Sequence, residues 1–98
     1  MILSFRDEET QDIFDHSKSK KAIKRLHPAL WRLAQRKLHM IKAACRLDDL
    51  RIPPANRLEA LDRDLKGKYS IRINDQYRIV FKWSGQDAED VQIVDYHG

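Results

Sequence analysis

"YSIRINDQYRIVFKW", residues 69–83, decides the fold. Tyr69, Ile71 and Ile73 alternate with Ser70 and Arg72. After a short break, Tyr77, Ile79, Phe81 and Trp83 alternate with Arg78, Val80 and Lys82. A period of two is the signature of a half-buried strand, because successive side chains leave opposite faces. Asn74 and Asp75 separate the runs, and both residue types tolerate positive φ and favour tight turns. The stretch therefore predicts an antiparallel hairpin. Its apolar face carries isoleucines and aromatics, and its other face carries Arg72 and Arg78 on either side of the turn.

The same reasoning extends in both directions. Downstream, "SGQDAED" (84–90) reads as a loop and Val91 to Tyr96 as a last strand. Upstream, Leu58 to Leu61 reads as a shorter strand, after Pro53-Pro54 have ended whatever precedes them. Before the prolines the period lengthens. Leu30, Ala34, Leu38, Ile41 and Cys45 recur at helical spacing, with Leu33, Lys37 and Ala44 beside them. Pro28 suits the first turn of that helix, which the pattern extends over about 17 residues and which places Cys45 as a buried thiol. Nearer the start, Ile2 to Phe5 predicts a short strand. Asp7 then predicts a helix N-cap, followed by Glu8 and Glu9 where the helix dipole favours acids, with Thr10, Ile13 and Phe14 as its inner side. Residues 16–26, "HSKSKKAIKRL", hold five Lys or Arg and no acid, and read as a flexible basic connection, with a phosphate-binding segment that orders on contact as the alternative. Helices first and a meander after them make an α+β domain, a small antiparallel sheet with two N-terminal helices packed on one face.

Ninety-eight residues suffice for one modest core, so a single domain is expected over 1–98. An apolar fraction of 42% argues against disorder. The net charge of +4 and a pI near 9.4 suit a polyanionic partner such as nucleic acid, or an acidic protein. No run approaches the roughly 20 apolar residues of a membrane helix. The opening residues do not resemble a signal peptide, and the single Cys45 excludes an internal disulfide, so a cytoplasmic protein is expected.

Candidate chemistry gathers on the sheet. Arginine forks match phosphate oxygens, which makes Arg72 and Arg78 candidates, with Asn56, Arg57, Lys66 and Lys68 able to reach the same surface. Solvated surface charge is the plainer reading of each lysine. The terminal "DYH" combines Asp95, Tyr96 and His97. Of these only the imidazole titrates near neutrality without perturbation. Taken alone, a histidine there reads more readily as an incidental one. The histidines show no metal-ligand spacing, and Gly67, Gly85 and Gly98 make no phosphate loop. Acid–base chemistry without a metal or other cofactor is what remains.

The ordered run "PPANRLEAL … YSIRINDQYRI … IVDYH" resembles the HigB branch of the RelE/ParE toxin superfamily, the toxin half of type II toxin–antitoxin pairs. The resemblance extends over essentially the whole chain and is strongest from Leu50 to His97. It implies a RelE-like fold and a metal-independent endoribonuclease that cleaves mRNA on the translating ribosome and so inhibits translation. It implies a HigA-like helix-turn-helix antitoxin as partner, with operator DNA reached only through that complex. It places catalysis on His97, Tyr96, Asp95 and Arg78, and substrate binding on Arg72 and Arg57. Where some relatives carry a second histidine after the prolines, this chain offers Asn56. Where many carry tryptophan, it has Tyr77. Two other readings stay open, a gyrase-directed toxin on the same fold and a non-enzymatic module that binds RNA or protein.

Overall fold

The computed structural model describes residues 1–96. Three α-helices precede the sheet: α1 (Glu8–Phe14), α2 (Lys20–Arg25) and α3 (Trp31–Ala43). Four strands follow in the order β1 (Glu59–Ala60), β2 (Lys68–Arg72), β3 (Tyr77–Ser84) and β4 (Asp87–Asp95), each antiparallel to its neighbour. The segment before α1 adds isolated parallel bridges, Ile2 to Ala88 and Phe5 to Val91, rather than a continuous strand.

The helices cover one sheet face. Ile71, Ile73, Ile79, Phe81, Val91 and Ile93 meet Ile13, Ala34, Leu38 and Ile41 in one buried cluster. The predicted alternation thus falls on the core face as expected, with Tyr69, Tyr77 and Trp83 partly buried at its margins. The N-cap also forms: a carboxylate oxygen of Asp7 accepts the backbone N–H of Thr10 at 2.9 Å.

Residues 16–26 depart from the expected flexible connection. Ser19 caps α2, its Oγ accepting the N–H of Ala22 at 3.2 Å, and Ala22 and Leu26 are fully buried. Arg25 then reaches back to Asp7 (2.7 Å) and Glu9 (3.0 Å) on α1. The basic run contains no acid of its own, so local composition could not show that its charge partners lie a helix away. Arg25 also donates to the carbonyl of Ile93 at 3.0 Å, and Thr10 Oγ1 accepts the Ile93 N–H at 3.0 Å. Together these two side chains satisfy the outward backbone groups of Ile93, beyond the part of the β4 edge that the N-terminal segment pairs at Ala88 and Val91.

Three further expectations change. Cys45 is exposed, because α3 ends at Ala43 and the backbone is already extended at Ala44. The segment 84–90 is mostly strand: β4 begins at Asp87, and the turn narrows to Gly85-Gln86, with Gly85 at φ 64°. The hairpin turn after β2 uses no positive φ at Asn74 or Asp75. Instead the Asn74 side-chain oxygen accepts the N–H groups of Gln76 (2.9 Å) and Tyr77 (2.8 Å), so the side chain closes the turn.

Candidate functional site

Register places the two hairpin arginines directly opposite one another, Arg72 against Arg78, with Val94 of β4 next in line. Like charges in that position repel, and each finds its own relief. Arg72 pairs with Asp75 in the turn. Arg78 is 7% exposed and held on several sides. Its Nε donates to Ser70 Oγ at 2.9 Å, and Nη2 donates to the carbonyl of Arg57 at 2.6 Å. The Glu59 carboxylate lies 3.9 Å from Nη2. Tyr96 lies against the guanidinium, 5.5 Å from Cζ to the ring centroid, a favourable cation–π distance. Among the described residues Nη1 of Arg78 has no hydrogen-bond partner.

Alternation placed Arg72 and Arg78 on the face away from the helices, as candidates for phosphate. That face is partly closed: Ser70, Arg78 and Val80 are all buried on it. A cavity of about 250 Å³ opens beside them, lined by Arg57, Glu59, Arg72, Asn74, Asp75, Arg78 and Tyr96. Three guanidinium groups face two carboxylates there, and a half-exposed phenol closes one side. A larger cavity of about 410 Å³ lies between Cys45–Asp48 and Gly85–Gln86, without comparable convergence of charge.

Of the residues singled out from sequence, Arg57, Arg72, Arg78 and Tyr96 meet at this cavity. Asp95 does not line it. It stands at the end of β4 opposite Tyr77, accepts Gln76 Nε2 at 3.0 Å and borders a neighbouring cavity with Lys24 and Arg25. Lys66 and Lys68 also lie off the cavity lining. Asn56 is withdrawn from the surface altogether. It is fully buried, donating to the carbonyls of Leu50 (3.1 Å) and Ile52 (3.4 Å) while its oxygen accepts from Lys37. The backbone carbonyls left by the Pro53-Pro54 bend need a side-chain donor, and Asn56 supplies it. His97 lies outside the described residues.

Glu59 is the functional candidate that sequence reading passed over. The signal was present, an acid at the middle of a short strand beside the arginine-bearing hairpin. Its significance depended on β1 pairing with β2 so that Glu59 stands opposite Ser70, the residue that holds Arg78.

A family model described as the RelE-like toxin of the type II toxin–antitoxin system HigB matches residues 3–97. The chain belongs to the HigB-like toxin family. Toxin HigB-1 of Vibrio cholerae is 42% identical over 84 residues, covering 85% of this chain and 84% of that one. An uncharacterized protein of Haemophilus influenzae is 41% identical over 64 residues, covering 65% of this chain and 63% of its own. In three dimensions the HigB-like fold is similar to a chain of the YoeB–YefM complex from Staphylococcus aureus. That likeness has a TM-score of 0.63 at 19% identity and covers 100% of this chain and 97% of the other. The YoeB/ParE toxin from Agrobacterium tumefaciens aligns with a TM-score of 0.58 at 18% identity, covering 97% of each chain. This HigB-like chain is thus the toxin component of a toxin–antitoxin system, with an antitoxin as its partner. Among the described residues no helix is long and apolar enough to cross a membrane.

Proposed function

We propose that this HigB-like toxin is a ribosome-dependent mRNA endoribonuclease that works by acid–base transesterification. A HigA-like antitoxin neutralises it, and operator DNA is reached only through that complex. The whole chain acts as one toxin domain in the cytoplasm. The observation that carries the reading is the convergence of Arg57, Arg72, Arg78 and Tyr96 with Glu59 around one cavity, in a toxin family.

The chemistry follows from the groups at hand. The 2′-hydroxyl of a ribose attacks the adjacent phosphorus and gives up its proton to a base. The Glu59 carboxylate is that base, being the acid beside Arg78. The bond from phosphorus to the 5′-oxygen breaks, and that oxygen takes a proton from His97. The products are a 2′,3′-cyclic phosphate and a 5′-hydroxyl. Nη1 of Arg78, with Arg72, meets the charge that builds on the non-bridging oxygens. Tyr96 offers a half-exposed aromatic face on which a base stacks. Asp95, through Gln76, fastens the end of β4 to the hairpin turn rather than touching substrate.

An open cavity of this kind holds a flexible RNA poorly. Positioning of the reactants by a larger body supplies several kcal/mol, and the ribosome is a positioning frame of that kind. The test is mRNA cleavage by the purified chain with and without translating ribosomes, with cut ends mapped. Cyclic-phosphate ends formed only on ribosomes, and lost in His97→Gln, are expected. Equal cutting of free RNA refutes ribosome dependence. Arrest of DNA synthesis ahead of protein synthesis on induction points to a gyrase-directed toxin instead.

A further inference from the structure

Lys37 is an unexpected member of the core. It stands on the inner side of α3, between Ala34 and Ile41, and is 7% exposed. An ammonium taken out of water is costly unless it is paired. No carboxylate pairs with it among the described residues; the side chain donates to Asn56 Oδ1. Burial, with the nearby charges of Arg36 and Arg72, holds its pKa below the ordinary lysine range.

What the pair holds is a bend. Asn56 ties α3, through Lys37, to the carbonyls of Leu50 and Ile52 on the approach to Pro53-Pro54. The next residue, Arg57, has φ 46° and ψ 58°, the left-handed region that a side chain with a Cβ rarely adopts. Such a conformation persists only where its surroundings fix it. Here the fixing bonds are Asn56 N–H to Pro53 O at 2.9 Å and Arg57 N–H to Pro54 O at 3.0 Å, together with the Asn56 side chain. The left-handed turn presents the Arg57 carbonyl to Nη2 of Arg78 at 2.6 Å.

We infer that Lys37 and Asn56 are a buried positioning pair for Arg78, setting the Arg57 carbonyl that locks the guanidinium with Nη1 toward the cavity. Neither touches substrate. The inference rests on the reading of Arg78 as the phosphate-binding group, and it gives the chain a reason to keep a lysine where an apolar residue would pack.

The experiment uses the double variant Lys37→Met with Asn56→Leu in the full chain. Replacing both members leaves neither Lys37 nor Asn56 facing a missing partner, and the carbonyls of Leu50 and Ile52 lose the donor that fixes the bend. Two readouts are taken. The first is the ¹⁵N spectrum of the arginine side chains, assigned with Arg78→Lys. In the wild type, restricted rotation keeps the Arg78 Nη1 and Nη2 signals separate; in the double variant they are expected to merge. The second is single-turnover cleavage on ribosomes. There the limiting rate is expected to fall about 10²-fold, the loss that a misplacement of about 1 Å produces, with little change in half-saturating concentration. Ile41→Val serves as a core control that keeps both readouts. Separate Arg78 signals in a folded double variant overturn the inference, and so does a wild-type limiting rate. Merged signals in a chain whose wild type cleaves nothing uphold the positioning role and refute the nuclease reading instead. If the double variant does not fold, Asn56→Asp, which keeps the Lys37 contact but removes the donors to Leu50 and Ile52, takes its place under the same criteria.

Discussion

Arg78→Lys isolates the fork from the charge. Lysine keeps the positive charge but offers one compact ammonium where arginine spreads donors across a plane. The wild-type side chain serves Ser70 Oγ at 2.9 Å and the Arg57 carbonyl at 2.6 Å, and still has Nη1 for a ligand. An ammonium in the same space keeps one of the two protein bonds or turns to the phosphate. Loss of one hydrogen bond to a charged group is worth about 1.5 kcal/mol, which lowers the thermal midpoint of a domain this size by about 6–12 °C. If the ammonium stays on its protein partners, the transition state loses a contact of about 1.5–3 kcal/mol, or about 10–100-fold in rate. Arg78→Ala, which removes the charge as well, falls by about 10²–10³. The assays are calorimetry and single-turnover cleavage of ribosome-bound mRNA, measured well below each variant's midpoint. An Arg78→Lys chain that cleaves at the wild-type rate refutes the claim that a fixed guanidinium edge receives the phosphate.

Other outcomes follow from the same contacts. Glu59→Gln keeps the shape of β1 and removes the base, so cleavage falls by about 10²–10⁴ while the thermal midpoint moves little; unchanged cleavage excludes Glu59 as the base. Arg25→Met frees the Ile93 carbonyl and separates α2 from Asp7 and Glu9, so amide exchange of α2 quickens and its protection falls by about 1–3 kcal/mol, read by hydrogen exchange. At Asp7, burial works to raise the carboxyl pKa, but hydrogen bonds from Thr10, Arg25 and Gln92 outweigh it and hold it low. A lowered folded-state pKa means that the unfolded chain binds the proton more readily. The stabilisation is therefore present above the ordinary carboxylate value, about 3.9, and is lost as pH falls through the folded value below it. Asp7→Asn retains the N-cap but not the charge, so its acid-unfolding curve is flatter below about pH 4. A curve as steep as that of the wild type refutes Asp7 as the acid-sensitive group.

The local patterns were legible because they repeat within a few residues. Period-two alternation in 69–83 predicts β2 and β3 and sorts Ile71 and Ile79 from Arg72 and Arg78. The helical spacing from Leu30 to Ile41 predicts α3, and Asp7 before two glutamates predicts the start of α1. The family resemblance rests on the same ordered run of residues. What composition hid was long-range pairing. The basic segment 16–26 contains nothing to mark it as ordered, because the acids that hold Arg25 lie on α1 and the carbonyl it satisfies lies on β4. Cys45 shares the spacing of the α3 stripe yet falls past the helix end, and spacing carries no stop signal there.

The candidate site divides along the same line. Sequence alone placed Arg72 and Arg78 on one face of a hairpin and pointed to Arg57 and Tyr96, since strand alternation and motif order are local properties. Only the folded chain turned Asn56 inward to meet Lys37, brought Glu59 beside Arg78, and left Arg78 buried in the wall of the cavity. Those contacts join residues from separate elements, and their energies come from desolvation and hydrogen-bond geometry, which exist only once α3, the proline bend and the sheet are packed together.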